Sequence, residues 1–192
     1  MSFATPRLFV SALLLAGATA CGGAVATPAS EVQAAMEKFS SARSYQATLN
    51  HDGPAKGSST GYYVAPDRFR MEMKGMTQVV IGDTLHATTR GQTRQMPVPE
   101  GMLEKWRDPA NLRRQAATMQ VESLGSEAVD GQAATKYMIE HASPQPSKSL
   151  LWVGEDGRPL QLQVSGMSQG RAVNTTIRYS RYDDPEIRIE AP

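Results

Sequence analysis

The sequence predicts an α+β domain: a strongly curved antiparallel sheet forming an incomplete β-barrel, with two or three helices covering the concave side. Three observations carry this. An apolar period of 3.6 over residues 31–42 changes at residue 44 to a period of two that recurs to the end of the chain. Turn signals punctuate that alternation at Gly82-Asp83, Asp130-Gly131 and Glu155-Asp156-Gly157-Arg158-Pro159. Helical stretches are few, so strands mostly follow strands, which is the α+β order. A sheet of eight to eleven strands needs its edges protected, and curling into an incomplete barrel achieves that.

The first helix starts from Ser30 as N-cap with Glu31 in its first turn, and Val32, Ala35, Met36 and Phe39 recur at i, i+3, i+4 and i+7. Tyr45, Ala47 and Leu49 then alternate with polar residues, as do Phe69, Met71 and Met73. Val79 and Ile81 precede the Gly82-Asp83 turn, and Leu85 and Ala87 follow it. Asp108-Pro109 supplies an N-cap and a proline at the first helical position, so Leu112–Met119 reads as a second helix, with a helical turn at Met102–Arg107 before it. Val121 and Ser123 lead to the Asp130-Gly131 hairpin, with Tyr137 and Ile139 beyond it. Leu151 and Val153 come before the 155–159 turn, and Leu160, Leu162 and Val164 follow on one face. Val173, Thr175, Ile177 and Tyr179 make the last long alternation, and Ile187 and Ile189 predict a short closing strand.

Composition narrows the function. The chain has 192 residues, 20 Lys+Arg against 19 Asp+Glu, 40% hydrophobic residues and one cysteine, Cys21. Length and composition fit one globular domain. A nucleic-acid binder would carry a basic excess, so no nucleic-acid partner is expected. A single cysteine excludes an internal disulfide and a zinc site built on CxxC pairs.

The position of that cysteine is informative. Arg7 is followed by an apolar run from Leu8 to Ala18, then by Thr19-Ala20-Cys21. As a helix the run is too short for a bilayer core of about 30 Å, and it has the order of a secretory signal. Ala18-Thr19-Ala20-Cys21 resembles a lipobox, although Ala18 stands where Leu is usual. Residues 1–20 are therefore expected to be a lipoprotein signal peptide. Cys21 becomes the acylated first mature residue, 21–30 the lipidated cysteine and a flexible tether, and 31–192 the folded domain. Removing 1–20 removes Arg7 and no acid, which leaves a neutral chain. Gly22 in place of Asp resembles the Gram-negative signal for sorting to the outer membrane, on its periplasmic side. Membrane attachment then rests on acyl chains, more than one being needed for a stable anchor.

Beyond the first helix, the stretches Ser44–Leu49, Tyr63-Val64-Ala65-Pro66-Asp67-Arg68-Phe69-Arg70-Met71 and Val80–Leu85 follow in order. The hairpin from Leu151-Trp152-Val153 to Arg158–Gln161 and the ending Tyr182–Ile187 with Ala191-Pro192 complete the set. In order and spacing these resemble the LolA/LolB-like superfamily, including the LppX/LprG type of lipoprotein, over nearly the whole mature chain. The resemblance implies an unclosed barrel with helices over its mouth, a cavity for acyl chains, and lipid or lipoprotein handling at the bacterial envelope.

Phe69, Met71, Met73, Ile81, Leu85, Leu162, Val164 and Ile177 are the candidate lining of that cavity. Alternation alone fits a filled core equally. Methionine suits variable apolar guests, and Ala47, Ala87 and Gly166 would leave room for one. Met71, Met73 and Met76 offer soft ligands for Cu(I), but inward strand positions account for the first two and no second cluster joins them. His51, His86 and His141 lack HxH or HExxH spacing, and Ser165–Gly170 is not a nucleophile elbow. No catalytic residue, metal or cofactor is expected. The expected function is a non-enzymatic, outer-membrane-anchored lipoprotein that binds an acyl chain such as palmitate or another lipid, with the helices at 31–42 and 109–119 as a lid. The alternative is a structural or interaction lipoprotein with a filled core that binds an envelope protein.

Overall fold

The computed structural model describes residues 26–52, 56–99, 119–141, 147–168 and 171–192. Cys21, the signal segment, the helical turn expected at Met102–Arg107 and residues 109–118 of the helix expected at 109–119 lie outside these residues. Helix α1 (Pro28–Ser41) precedes β1 (Ser44–His51), β2 (Gly57–Val64), β3 (Arg68–Met73), β4 (Met76–Ile81), β5 (Thr84–Thr89) and β6 (Gln92–Pro97). Then come β7 (Met119–Val129), β8 (Gln132–His141), β9 (Ser147–Gly154), β10 (Pro159–Ser168) and β11 (Arg171–Ser180). One helix is present among the described residues, not two or three, and Met119 opens a strand instead of closing a helix.

All eleven strands form one sheet in the order β6-β5-β4-β3-β2-β1-β11-β10-β9-β8-β7. Two meanders, β1 to β6 and β7 to β11, meet where β1 pairs with β11. Every pairing is antiparallel, and among the described residues β6 and β7 are the two edges and do not pair with each other, so the sheet is not closed. Strand β6 carries only exposed residues and ends on Pro97, while β7 carries a bulge between Ser123 and Gly125. Both features discourage edge-to-edge pairing.

The helix starts one turn earlier than the sequence suggested. Thr27 is the N-cap, its Oγ1 accepting from the Ser30 N–H at 3.2 Å while Ser30 Oγ accepts from the Thr27 N–H at 2.9 Å. Pro28 in the first turn loses no intrahelical bond. Val32 and Ala35, each 1% exposed, pack on Tyr137, Ile139, Leu151 and Val153, with Met36, Met119, Val121 and Leu162 around them. The helix therefore covers one face of the β7–β10 half, which we term the inner face. Its C-terminal end is pinned to the β9–β10 turn, where Lys38 Nζ donates to the Asp156 carbonyl at 2.6 Å. Glycine suits position 157 because φ is +75°, and a Cβ there would also displace the end of Lys38, whose Nζ would lie 2.7 Å away.

A smaller core lies on the outer face. Val129, Ala134 and Trp152 are buried there with Leu150 and Leu160 against them. Leu160 was expected beside Leu162, but a bulge between Pro159 and Gln161 sends it to the Trp152 side. Arg178 on β11 pairs with Asp130 at the β7–β8 tip at 3.2 Å. Strand β8 is three strand spacings from β11, roughly 14 Å. The hairpin tip must therefore bend back over the outer face.

Ile187 and Ile189 form no strand, yet both are buried. The segment after β11 runs along the outer side of β3, where Arg68 Nη1 donates to the Ile189 carbonyl at 2.8 Å. Asp183 latches this segment: it accepts from the Arg43 N–H at 2.7 Å and from Arg158 Nη2 at 2.6 Å. These contacts, the Arg43 N–H first, hold the Asp183 carboxyl below the usual aspartate range. A carboxylate with a lowered folded pKa stabilises above its unfolded value, near 3.9, and loses that contribution as pH falls through the folded value. Asp183→Asn is expected to cost about 1–3 kcal/mol at neutral pH and to flatten the acid limb of stability, as read by urea unfolding at neutral pH and at about pH 3.

Candidate functional site

Strand register decides which side chains share the inner face. Leu162 lies opposite Leu151 and Ile177, Ile177 opposite Leu49, and Tyr179 opposite Ala47. Ala47 leads to Gly61 and Met71, and Tyr45 to Tyr63, Phe69, Val80 and Leu85. Met73 and Val164 follow two residues from Met71 and Leu162. Phe69, Met71, Met73, Leu85, Leu162, Val164 and Ile177 thus lie on the same face as α1. Ile81 does not. The two-residue Gly82-Asp83 loop pairs Ile81 with Thr84, so Val80 is the inward residue opposite Leu85, and Ile81 shares the outer face with Val79 and His86.

The inner face differs between its two ends. Call the end with the 65–67, 82–83, 130–131 and 155–158 turns the upper end, and the end with the 52–56, 74–75 and 90–91 turns the lower end. The upper half is filled by aromatic rings. Phe39 of α1 stands 4.8 Å from Tyr45 and 5.0 Å from Tyr179, Tyr45 is 5.1 Å from Tyr63, and Tyr63 is 5.0 Å from Phe69. Burial pushes the Tyr179 hydroxyl pKa above its ordinary value, and the nearby Tyr45 adds to the effect. Leu85 is also buried. On the β8 side, Tyr137 Oη donates to Glu31 Oε2 at 2.8 Å, and burial with this bond raises the phenol to about 12.

Towards the lower end the face opens. Met71, Met73 and Ile177 are half-buried, and Val164 is 37% exposed. Among the described residues, a Cβ added at Gly166 would meet nothing within 4 Å, whereas one at Gly61 would touch Met71 at 3.4 Å. Met73 and Met76 face each other across the β3–β4 hairpin, so three thioethers including Met71 lie on this part of the face. The candidate lining therefore divides. Phe69, Leu85 and Leu162 belong to the filled part, and Met71, Met73, Val164 and Ile177 border the open part.

Two depressions lie elsewhere. One of about 380 Å³ is lined by small residues of the β7–β8 hairpin end, Ser126, Ala128, Ala133 and Thr135 among them, with Val153 and Glu155. Another of about 280 Å³, between Thr48, Asn50, Gln132, Leu160 and Arg178, is polar and opens on the outer face. Neither includes any of the expected lining residues.

His51 bonds Thr175 Oγ1 at 2.9 Å on the inner face, while His86 is buried on the outer face with Nδ1 unbonded among the described residues. The His141 side chain lies outside the described residues. No group of three His, Cys, Asp or Glu side chains that could hold a metal occurs among the described residues. No described helix is long and apolar enough to cross a membrane.

No family model matches the chain and no curated protein sequence does. Solved structures do match. The Mycobacterium tuberculosis lipoprotein LppX is similar with a TM-score of 0.66 at 13% identity, over 84% of this chain and 97% of that one. LprF from Mycobacterium bovis is similar with a TM-score of 0.66 at 12% identity, over 86% and 96%. At such identity the likeness concerns the backbone, and it extends over nearly the full length of both structures. The chain has the fold of the LppX and LprF lipoproteins, the type its sequence resembles.

Proposed function

We propose that the chain is a non-enzymatic lipoprotein of the bacterial envelope that binds an acyl chain on the open part of its inner face. Cys21 is its acylated anchor, on the periplasmic side of the outer membrane. The observation that carries this reading is the gradient along the inner face. Apolar side chains continue past the helix-covered core to Met71, Met73, Ile177 and Val164, where packing stops and space remains at Gly166. This apolar strip runs beside polar inward residues, Gln78 opposite Met71 and Thr175 opposite Val164. An acyl chain laid there leaves water at about 25 cal/mol per Å² of buried area, with no group transfer. The fold shared with two lipoproteins supports the envelope assignment.

Native mass spectrometry of the mature chain, residues 21–192, carrying Cys21→Ala is expected to show a bound lipid, and organic extraction to release its fatty acid. Apoprotein alone, with no uptake of a fluorescent fatty acid, sinks the binding reading. The membrane-extracted wild-type chain should begin at Cys21 with acyl mass added, and a free thiol there removes the anchor.

A further inference from the structure

Charge is distributed unevenly between the two ends of the sheet. The upper turns carry Asp67, Asp83, Asp130, Glu155 and Asp156 against one cation, Arg158, which is paired with Asp183. The lower turns of three successive hairpins carry Lys56 between β1 and β2, Lys74 between β3 and β4, and Arg90 between β5 and β6. All three side chains are exposed, and none forms an ion pair among the described residues. Of the acids near them, Glu72 pairs with Arg70 and Glu140 with Lys148, while Asp52, held by the neutral Asn174 Nδ2 at 3.2 Å, keeps its charge and leaves the three cations in excess. Neighbouring hairpin turns are two strand spacings apart, about 10 Å. That is about one Debye length at physiological salt, so the three fields add along the rim.

The same end holds the open part of the inner face and the approach to the chain's N-terminus. Helix α1 ends at the upper end, with Phe39 on Tyr45 and Lys38 on Asp156. Its first turns point the other way, with Glu31 at Tyr137 and Val32 in the cluster with Ile139 and Met119. Met119 pairs with His141 at the lower end of β8. Cys21 precedes Pro28 by seven residues, a reach of at most about 25 Å. An anchor there holds the lower end towards the bilayer.

We propose that Lys56, Lys74 and Arg90 form a docking rim for an anionic membrane surface. The rim seats the half-barrel with its open end on the lipid headgroups. Lysine ammoniums act as point charges on the phosphates, and the Arg90 guanidinium can bond one bidentately. Seated this way, an acyl chain passes between bilayer and inner face without crossing open water. The proposal rests on the acyl-binding reading for its purpose, but its test does not.

The test is flotation of the mature chain, residues 21–192, carrying Cys21→Ala, which isolates the rim from both the acyl anchor and the apolar signal segment. Equimolar phosphatidylcholine/phosphatidylglycerol vesicles are expected to carry the protein up, and phosphatidylcholine vesicles to leave it behind. The triple variant Lys56→Gln/Lys74→Gln/Arg90→Gln is expected to lose on the order of 100-fold in partition, about fivefold per cation. Binding should weaken as salt rises. Removing acids at the opposite end, Asp83→Asn/Glu155→Gln, should change partition by about twofold at most, since that end is farther than a Debye length away. The proposal is overturned if the folded triple variant floats like its parent, if neutral vesicles bind equally, or if the upper-end variant binds far better and shows that only net charge matters. Should the triple variant lose its thermal transition, Arg90→Gln alone gives the reading at about fivefold. A protein that carries a fatty acid by mass spectrometry yet ignores anionic vesicles loses the docking rim and keeps acyl binding, and the converse result separates them the other way.

Discussion

Leu151→Ala is expected to destabilise the domain by about 2–5 kcal/mol. Leu151 is 2% exposed on central strand β9 and packs with Val32 and Ala35 of α1 and with Tyr137 of β8. Removing its branched end takes away apolar burial and leaves a cavity between two elements that cannot both collapse. Sheet pairing on both sides holds β9 in place, and the Thr27 cap with the Lys38–Asp156 contact holds the helix. The cavity term therefore stays near the upper part of its range. Urea unfolding should show a lower midpoint with little change in slope. The same truncation at Val164 removes a side chain that is 37% exposed and should cost under about 1 kcal/mol. If the two variants unfold alike, the inner face has no filled and open halves, and the proposed binding surface loses its basis.

The hairpins were legible because their turns need unusual backbone. Asp130 and Gly131 both take positive φ, 50° and 82°, so a two-residue loop there is nearly forced. Helix α1 was legible from its buried stripe, but its start was not: Ser30 proved to be the third helical residue, answering Thr27 across a capping box. No apolar pattern in the sequence marks a strand at 92–97, and polarity explains why. Gln92, Thr93, Arg94 and Gln95 are all exposed on an edge with no face to bury, so period two leaves no apolar trace. Ile81 was misplaced for the opposite reason. Val79, Val80 and Ile81 are apolar on both faces, because the C-terminal segment covers the outer side near them, and parity cannot be read from an unbroken run. Leu160 was misplaced through a bulge beside Pro159, whose missing N–H disfavours regular pairing there. The candidate site was legible as a face, since seven of eight residues share it, but its division into packed and open parts depends on where α1 lies.

Val164→Glu should abolish acyl binding while leaving the fold intact, and Leu162→Glu should do the reverse damage. The two residues are neighbours on the same face of β10. At position 164 the new carboxylate can reach water in the empty protein, and with 37% exposure at that site the cost to stability should stay below about 1 kcal/mol. A guest chain covering it would strip that water from an unpaired charge, at several kcal/mol. Occupancy should then fall by about 100-fold or more, since each 1.4 kcal/mol is tenfold. At position 162 the carboxylate would instead enter the packing around Val32, Leu151 and Ile139, where no described cation pairs with it. That variant should unfold at much lower urea or fail to fold. Val164→Leu serves as control: it adds apolar volume beside the space at Gly166 and should retain bound lipid. If Val164→Glu still copurifies with fatty acid at the parental level, the acyl chain does not lie along β10. A face that sorts folding from binding within two residues is what a guest site continuous with the core requires.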